Sequence, residues 1–175
     1  MRKLSNDELN RPDISTFKQQ DKMPVYVVLD NVRSLNNVGS VFRTCDAFAI
    51  KELLLCGITA TPPNKEIHKT ALGAEDTVVW KYYENTLDAI RYLKEMQVSI
   101  YSIEQAEDSI PLHKLNLSEQ PIAVVFGNEV DGVEQAVIDV SNGVIEIPQW
   151  GTKHSLNISV SAGIVLWELV RGVSL

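Results

Sequence analysis

Pro121-Ile122-Ala123-Val124-Val125-Phe126, broken at once by Gly127-Asn128-Glu129-Val130-Asp131-Gly132, is the stretch that decides the fold. An apolar run without polar alternation predicts a strand covered on both faces, the habit of parallel sheets. The pattern repeats downstream. Val144-Ile145-Glu146-Ile147 stops at Pro148, and Gln149-Trp150-Gly151 follows; Ser155-Leu156-Asn157-Ile158-Ser159-Val160 then leads into an almost wholly apolar helix reaching Val170. The last third therefore reads strand, turn, helix, strand, turn, helix. In open α/β sheets, ligands gather outside the carboxyl ends of strands. The loops after Phe126 and Ile147 are thus expected to line one pocket.

Working back from there, Val25–Leu29, Glu52–Ile58, Thr77–Trp80 and Val98–Ser102 predict further strands. Asn36 or Asn37 is suited to cap a helix, in which Val38, Val41, Phe42, Cys45, Phe48 and Ala49 form a stripe facing the core. Asn36, Ser40 and Arg43 share another face near the start of that helix. A guanidinium beside a helix N-terminus suits a phosphate. A second helix is expected from Leu87 to Gln97 behind a cap at Asn85. Thr59 to Gly73 reads as a long polar loop whose Lys65, His68 and Lys69 make a local basic patch, and Glu104 to Glu119 reads as an irregular surface connection. Strand–helix alternation predicts an α/β fold with a mainly parallel sheet and helices on both faces.

Several chemistries are absent from the sequence. No G-x-G-x-x-G follows the first strand, where Asn31-Val32-Arg33-Ser34-Leu35-Asn36-Asn37 stands instead, which argues against a dinucleotide enzyme. There is no phosphate-binding P-loop, no Cys or His cluster with metal-ligand spacing and no G-x-S-x-G elbow.

The sequence resembles the SpoU/TrmH family of RNA 2'-O-ribose methyltransferases, within the knotted SPOUT superfamily. The resemblance rests on Asn37-Val38-Gly39-Ser40-Val41-Phe42-Arg43, on Gly127-Asn128-Glu129-x-x-Gly132, and on Ile147-Pro148 with Ser155-Leu156-Asn157-x-Ser159. It implies S-adenosylmethionine as cofactor, and methyl transfer to a ribose 2'-hydroxyl of tRNA or rRNA. It implies catalytic roles for Arg43, Asn37, Glu129, Ser155 and Asn157, and cofactor contacts from Ser102, Gly127, Ile147 and Leu156. It also implies a homodimer through the C-terminal helix and a deep C-terminal trefoil knot, neither of which periodicity can reveal. A guanidinium has a pKa above 12 and does not readily give up its proton. Arg43 is therefore expected to grip a phosphate and lower the hydroxyl's pKa electrostatically, rather than to act as a base. Arg33, Lys65, His68 and Lys69 are the expected RNA contacts.

With 175 residues, 45% apolar and 22% charged, the chain has the make-up of one globular unit. Residues 1–22 are expected to form a polar arm and 23–175 the methyltransferase domain. No run approaches the roughly 20 apolar residues of a membrane span. The start lacks a secretory core, and Cys45 and Cys56 lie inside apolar runs as reduced thiols, so a cytoplasmic protein without metal is expected. The net charge of −7 opposes non-specific binding to phosphates. An RNA substrate then requires a local basic patch, recognition of RNA shape, or a partner. The rival reading is a catalytically silent RNA-binding or assembly factor that keeps the fold.

Overall fold

The computed structural model describes residues 1–5, 7–115 and 121–171. Its frame is a parallel sheet of β1 (Met23–Asp30), β2 (Ile50–Cys56), β3 (Trp80–Tyr83), β4 (Ser99–Ile103), β5 (Ile110–Pro111), β6 (Ile122–Phe126) and β7 (Gly143–Glu146). The spatial order is β3-β2-β1-β6-β4-β7-β5, and every pairing is parallel. The innermost strands are the most apolar: every residue of β6, and all of β1 but Pro24, is buried.

Successive side chains of a strand point to opposite faces, and the core divides accordingly. Val25, Val27 and Leu29 of β1 pack with α2 (Leu35–Ala47), α3 (Lys65–Ala71) and α6 (Ile158–Val170). Tyr26 and Val28 pack on the other side with α4 (Thr86–Glu95) and α5 (Gln135–Ile138). Helices thus cover both faces. In α2 the expected stripe is there, with Val38, Val41, Phe42 and Cys45 wholly buried. Burial pushes both thiols well up, that of Cys56 to about 12, so they sit in the core as hydrophobes.

Several expectations are corrected. The segment from Thr59 to Gly73 is not all loop: α3 forms within it, because Asn64 accepts the N–H groups of Glu66 and Ile67 as a cap, while Ile67 and Ala71 bury against α2. The third strand begins at Trp80, where the expected one ends. The α2 cap is Ser34, whose hydroxyl accepts the Asn37 N–H at 3.3 Å, and not Asn36 or Asn37. The surface connection after Glu104 contains β5 and a 3-10 turn at Leu112–Lys114; its positions 116–119 lie outside the described residues. Asn85 caps α4 as expected.

The polar segment before β1 holds α1 (Ile14–Gln19) and a 3-10 turn at Asp7–Leu9. The Ser5 N–H donates to the Glu8 carboxylate at 2.8 Å, as in one half of a capping box. No helix among the described residues is long and apolar enough to cross a membrane.

Candidate active site

The carboxyl ends of β1, β6, β4 and β7 lie side by side, and their loops converge. Between them is a cavity of about 490 Å³, whose lining includes Phe126 to Gly132, Ile103 to Gln105, Ile147, Gln149 and His154 to Ile158. That volume lies in the range of small-ligand pockets. Phe126, Ile147, Leu156 and Ile158 give it apolar wall, and polar residues such as Glu104, Asn128, Glu129 and Ser155 complete its lining.

The loop after β6 is bent back on itself. Asn128 and Gly132 exchange backbone hydrogen bonds at 3.1 Å, and the Asn128 side chain accepts the N–H groups of Val130 (2.8 Å) and Asp131 (2.9 Å). Gly127 is required here. A Cβ at that position would come within 1.9 Å of the Gly132 carbonyl carbon and 2.0 Å of the Val133 nitrogen. Gly132 has φ +72°, in the left-handed region that glycine adopts at little cost.

The fold brings together polar side chains from distant parts of the chain. The Glu129 carboxylate accepts the backbone N–H groups of Arg33 (3.1 Å) and Ser34 (3.0 Å) and the side-chain amide of Asn37 (3.1 Å). Asn37 in turn accepts the Asn157 amide at 3.2 Å, and Asn157 caps α6 by accepting the Ser159 N–H at 2.9 Å. Burial pushes the Glu129 carboxyl up, but the donated N–H groups and the Asn37 amide outweigh it and leave the carboxyl below its ordinary value. It is an anion at neutral pH and joins the start of α2 to the loop after β6.

Behind this network the loop after β1 is fixed by buried polar groups. Asp30, wholly buried, accepts the Thr86 hydroxyl at 2.5 Å and the Glu134 N–H at 3.0 Å. The Thr59 hydroxyl accepts the Val32 N–H at 2.9 Å and donates to the Leu29 carbonyl at 3.1 Å. Sequence reasoning missed these groups. Asp30 and Thr59 each follow an apolar run and Thr86 follows Glu84-Asn85, so in the sequence all three resemble surface positions.

The expected site residues separate into groups. Gly127, Glu129, Ile147, Ser155, Leu156 and Asn157 line the cavity, and Asn37 reaches it through Asn157 and Glu129. Ser102 does not line it: its hydroxyl is wholly buried against that of Ser141 at 2.9 Å, and its neighbours Ile103 and Glu104 face the cavity instead. Arg43 also stands away from the cavity of its own chain. It lies exposed near the end of α2, and no hydrogen bond or ion pair holds its guanidinium among the described residues. Arg33 is exposed beside Glu129. Lys65, His68 and Lys69 lie on α3, but Lys69 meets Glu66 at 3.9 Å, which reduces the free positive charge there, and His68 contacts Glu75 at 2.5 Å. Among the described residues no cluster of His, Cys, Asp and Glu is placed to hold a metal.

Residues 24–167 match the model of the SpoU rRNA Methylase family. A tRNA (guanosine(18)-2'-O)-methyltransferase of Thermus thermophilus is 30% identical over 94% of this chain and 83% of its own length. The 23S rRNA (guanosine-2'-O-)-methyltransferase RlmB of Vibrio parahaemolyticus is 32% identical over 94% of this chain, which spans 66% of that relative. The AdoMet-bound rRNA methyltransferase of Sinorhizobium meliloti superposes with a TM-score of 0.82 at 27% identity, covering 94% of this chain and 62% of that one.

Proposed function

The chain belongs to the SpoU rRNA Methylase family, and from that premise we propose that it transfers a methyl group from S-adenosylmethionine to a ribose 2'-hydroxyl of tRNA or rRNA. The observation that carries this reading is the cavity itself. Its glycine-bent loop, apolar walls and nucleoside-sized volume sit where Glu129, Asn37 and Asn157 link the loop after β6 to two helix starts. The relatives named for RNA 2'-O-methylation and the AdoMet-bound structural neighbour support it.

S-adenosylmethionine supplies the electrophilic methyl group when bound. The chain's part is to hold and align. The backbones after Phe126 and Ile147 would hold the adenosine edge, and Ile147 and Leu156 would supply apolar contact to it. Glu129 and Asn157 fix Asn37 and the start of α2, and Ser155 borders the acceptor ribose. Arg43 grips the nucleotide phosphate and favours the alkoxide electrostatically, because its own proton is held too tightly for it to be a base. Arg33 and the α3 residues Lys65, His68 and Lys69 face the RNA.

This scheme needs a second copy of the chain. On α6, Val160, Ile164 and Trp167 remain 49, 39 and 57% exposed, and a Cβ on Gly163 would touch nothing within 4 Å. The Gly163 face of the helix is therefore open within this chain. α6 packs beside α2, so a two-fold dimer burying this apolar stripe carries each copy's Arg43 toward the other's cavity. Residues 23–175 form the catalytic domain in this reading and 1–22 a polar arm. In this reading the C-terminal segment is threaded as a deep trefoil knot, as the resemblance to the family implies. The chain then works in the cytoplasm, in keeping with relatives named for modifying tRNA and rRNA.

The test is transfer of labelled methyl from S-adenosylmethionine to total tRNA and to rRNA, with the modified nucleotide mapped by nuclease digestion and mass spectrometry. A 2'-O-methylated nucleotide is expected. No binding heat at millimolar S-adenosylmethionine would replace this reading with a silent RNA-binding factor.

A further inference from the structure

Glu104 and Gln105, just past the end of β4, tie the cavity's loops together. The Glu104 carboxylate accepts the Val133 N–H at 3.1 Å through one oxygen and the Gln105 N–H at 3.0 Å through the other. Gln105 donates to the His154 carbonyl at 2.5 Å. Consecutive side chains thus join the loop after β4 to the loop after β6 and to the segment before α6. The fit around Glu104 is close: a Cβ on Gly132 would meet its Oε1 at 2.0 Å. Each oxygen has taken one backbone donor, so the carboxylate keeps acceptor capacity toward the cavity it lines.

Among the described residues the titratable groups lining that cavity are Glu104, Glu129, Asp131 and His154, with no Lys or Arg. Glu129 is committed to Arg33, Ser34 and Asn37. Asp131 is exposed on the bend. Glu104 is the half-buried carboxylate fixed in direction by two donors, and a fixed anion at a concave, partly apolar site favours a cation over a neutral ligand of the same shape.

We propose that Glu104 reads the positive charge of the cofactor, so that the cavity prefers the sulfonium of S-adenosylmethionine to the uncharged thioether of S-adenosylhomocysteine and lets the spent cofactor leave. This rests on the methyltransferase reading above and deepens it. Losing the methyl cation lowers the ligand's net charge by one unit while its adenosine and amino-acid ends stay the same. The difference in attraction to one fixed carboxylate is therefore the difference between the two forms.

Calorimetry of the full chain with S-adenosylmethionine, S-adenosylhomocysteine and sinefungin, which carries an ammonium in place of the sulfonium, tests this. In Glu104→Gln the two cationic ligands should weaken about five- to tenfold and the thioether less than about twofold, the size of one unit charge at several ångströms in a partly solvated site. Glu104→Asp keeps the charge, and should keep the preference for the cationic ligands even where all affinities fall. Because each comparison is a ratio within one protein sample, a loss of folded fraction does not imitate the effect. Equal weakening of all three ligands in Glu104→Gln would show a merely structural tie and overturn the proposal, as would loss of the preference in Glu104→Asp. If the unaltered chain binds the three ligands at equal strength, charge reading fails and the methyltransferase reading stands. If it binds none of them at millimolar concentration, both fail.

Discussion

Two polar networks in this molecule look alike on paper and do different work. One joins Glu129, Asn37 and Asn157 at the carboxyl ends of the central strands; the other joins Glu52, Lys81 and Tyr92 across β2, β3 and α4. In the second, Lys81 contacts the Glu52 carboxylate at 2.9 Å and donates to the Tyr92 hydroxyl at 2.6 Å, and it stands 4.2 Å from the Tyr92 ring centroid. Its charges cancel, and none of its three members lines the cavity. In the first, a carboxylate is held by uncharged donors, most of them backbone N–H groups, from segments more than 90 residues away. Such an anion keeps its charge and fixes loops instead of neutralising a cation. What separates a site from a structural cluster is thus which groups hold the charge and what space it faces.

The largest effect that sharpens this contrast is expected from Gly127→Ala. The added methyl would overlap the Gly132 backbone, which has no side-chain freedom to yield. The bend must open, and calorimetry should show cofactor binding lost altogether. Next comes Arg43→Ala. Methyl transfer should fall about 10²–10³-fold, the cost of removing one electrostatic stabiliser of a developing oxyanion. The melting temperature should stay unchanged, since no partner holds Arg43 among the described residues. An unchanged transfer rate would remove Arg43 from the mechanism.

How much of this could be read beforehand depends on how each feature is encoded. β1, β6, the α2 stripe and α6 are written as apolar periodicity, which is local and redundant, and they fall close to where they were expected. α3 was hidden because Lys65-Glu66-Ile67-His68-Lys69-Thr70-Ala71 buries only Ile67 and Ala71, too few positions to show a helical period. The loops around the cavity were legible because glycines and a proline interrupt strands there. The distance of Arg43 from the cavity of its own chain was not, since a motif gives order along the chain and not which copy a side chain serves. Glu104 left no mark either. One acid after a strand reads as surface, and only the fold shows it accepting the N–H of Val133.

A smaller effect is expected at Glu129. Glu129→Gln keeps the shape but weakens the hold on the Arg33 and Ser34 N–H groups, so transfer should slow about ten- to a hundredfold through misplacement of the α2 start. Stability should fall by about 1 kcal/mol, the size of a weakened hydrogen-bond set at a partly exposed site. The pH dependence has a definite sign. The folded carboxyl lies below its ordinary value, so its contribution is complete above the ordinary carboxylate range near 4.3 and is lost as pH falls through the depressed folded value. Denaturant midpoints from pH 6 to pH 2 should show that acid limb in the unaltered chain and a flatter one in Glu129→Gln.

The smallest effect on function belongs to the other network, on the opposite limb. Desolvation lowers the Lys81 ammonium's pKa, but the Tyr92 hydroxyl and the Glu52 carboxylate raise it further, leaving it above its ordinary value. A raised cation stabilises fully below its unfolded value, about 10.4, and loses that contribution as pH rises through the folded one. Lys81→Met should therefore lower stability by about 1–2 kcal/mol at neutral pH, discounted for a lysine side chain that is 45% exposed. It should also flatten the denaturant midpoint between pH 10 and pH 12. Cofactor affinity and transfer rate should match the unaltered chain, because neither Lys81 nor its partners face the cavity. A change in cofactor affinity from Lys81→Met would mean that the edge of the sheet and the site are mechanically coupled, and would dissolve the distinction between the two networks.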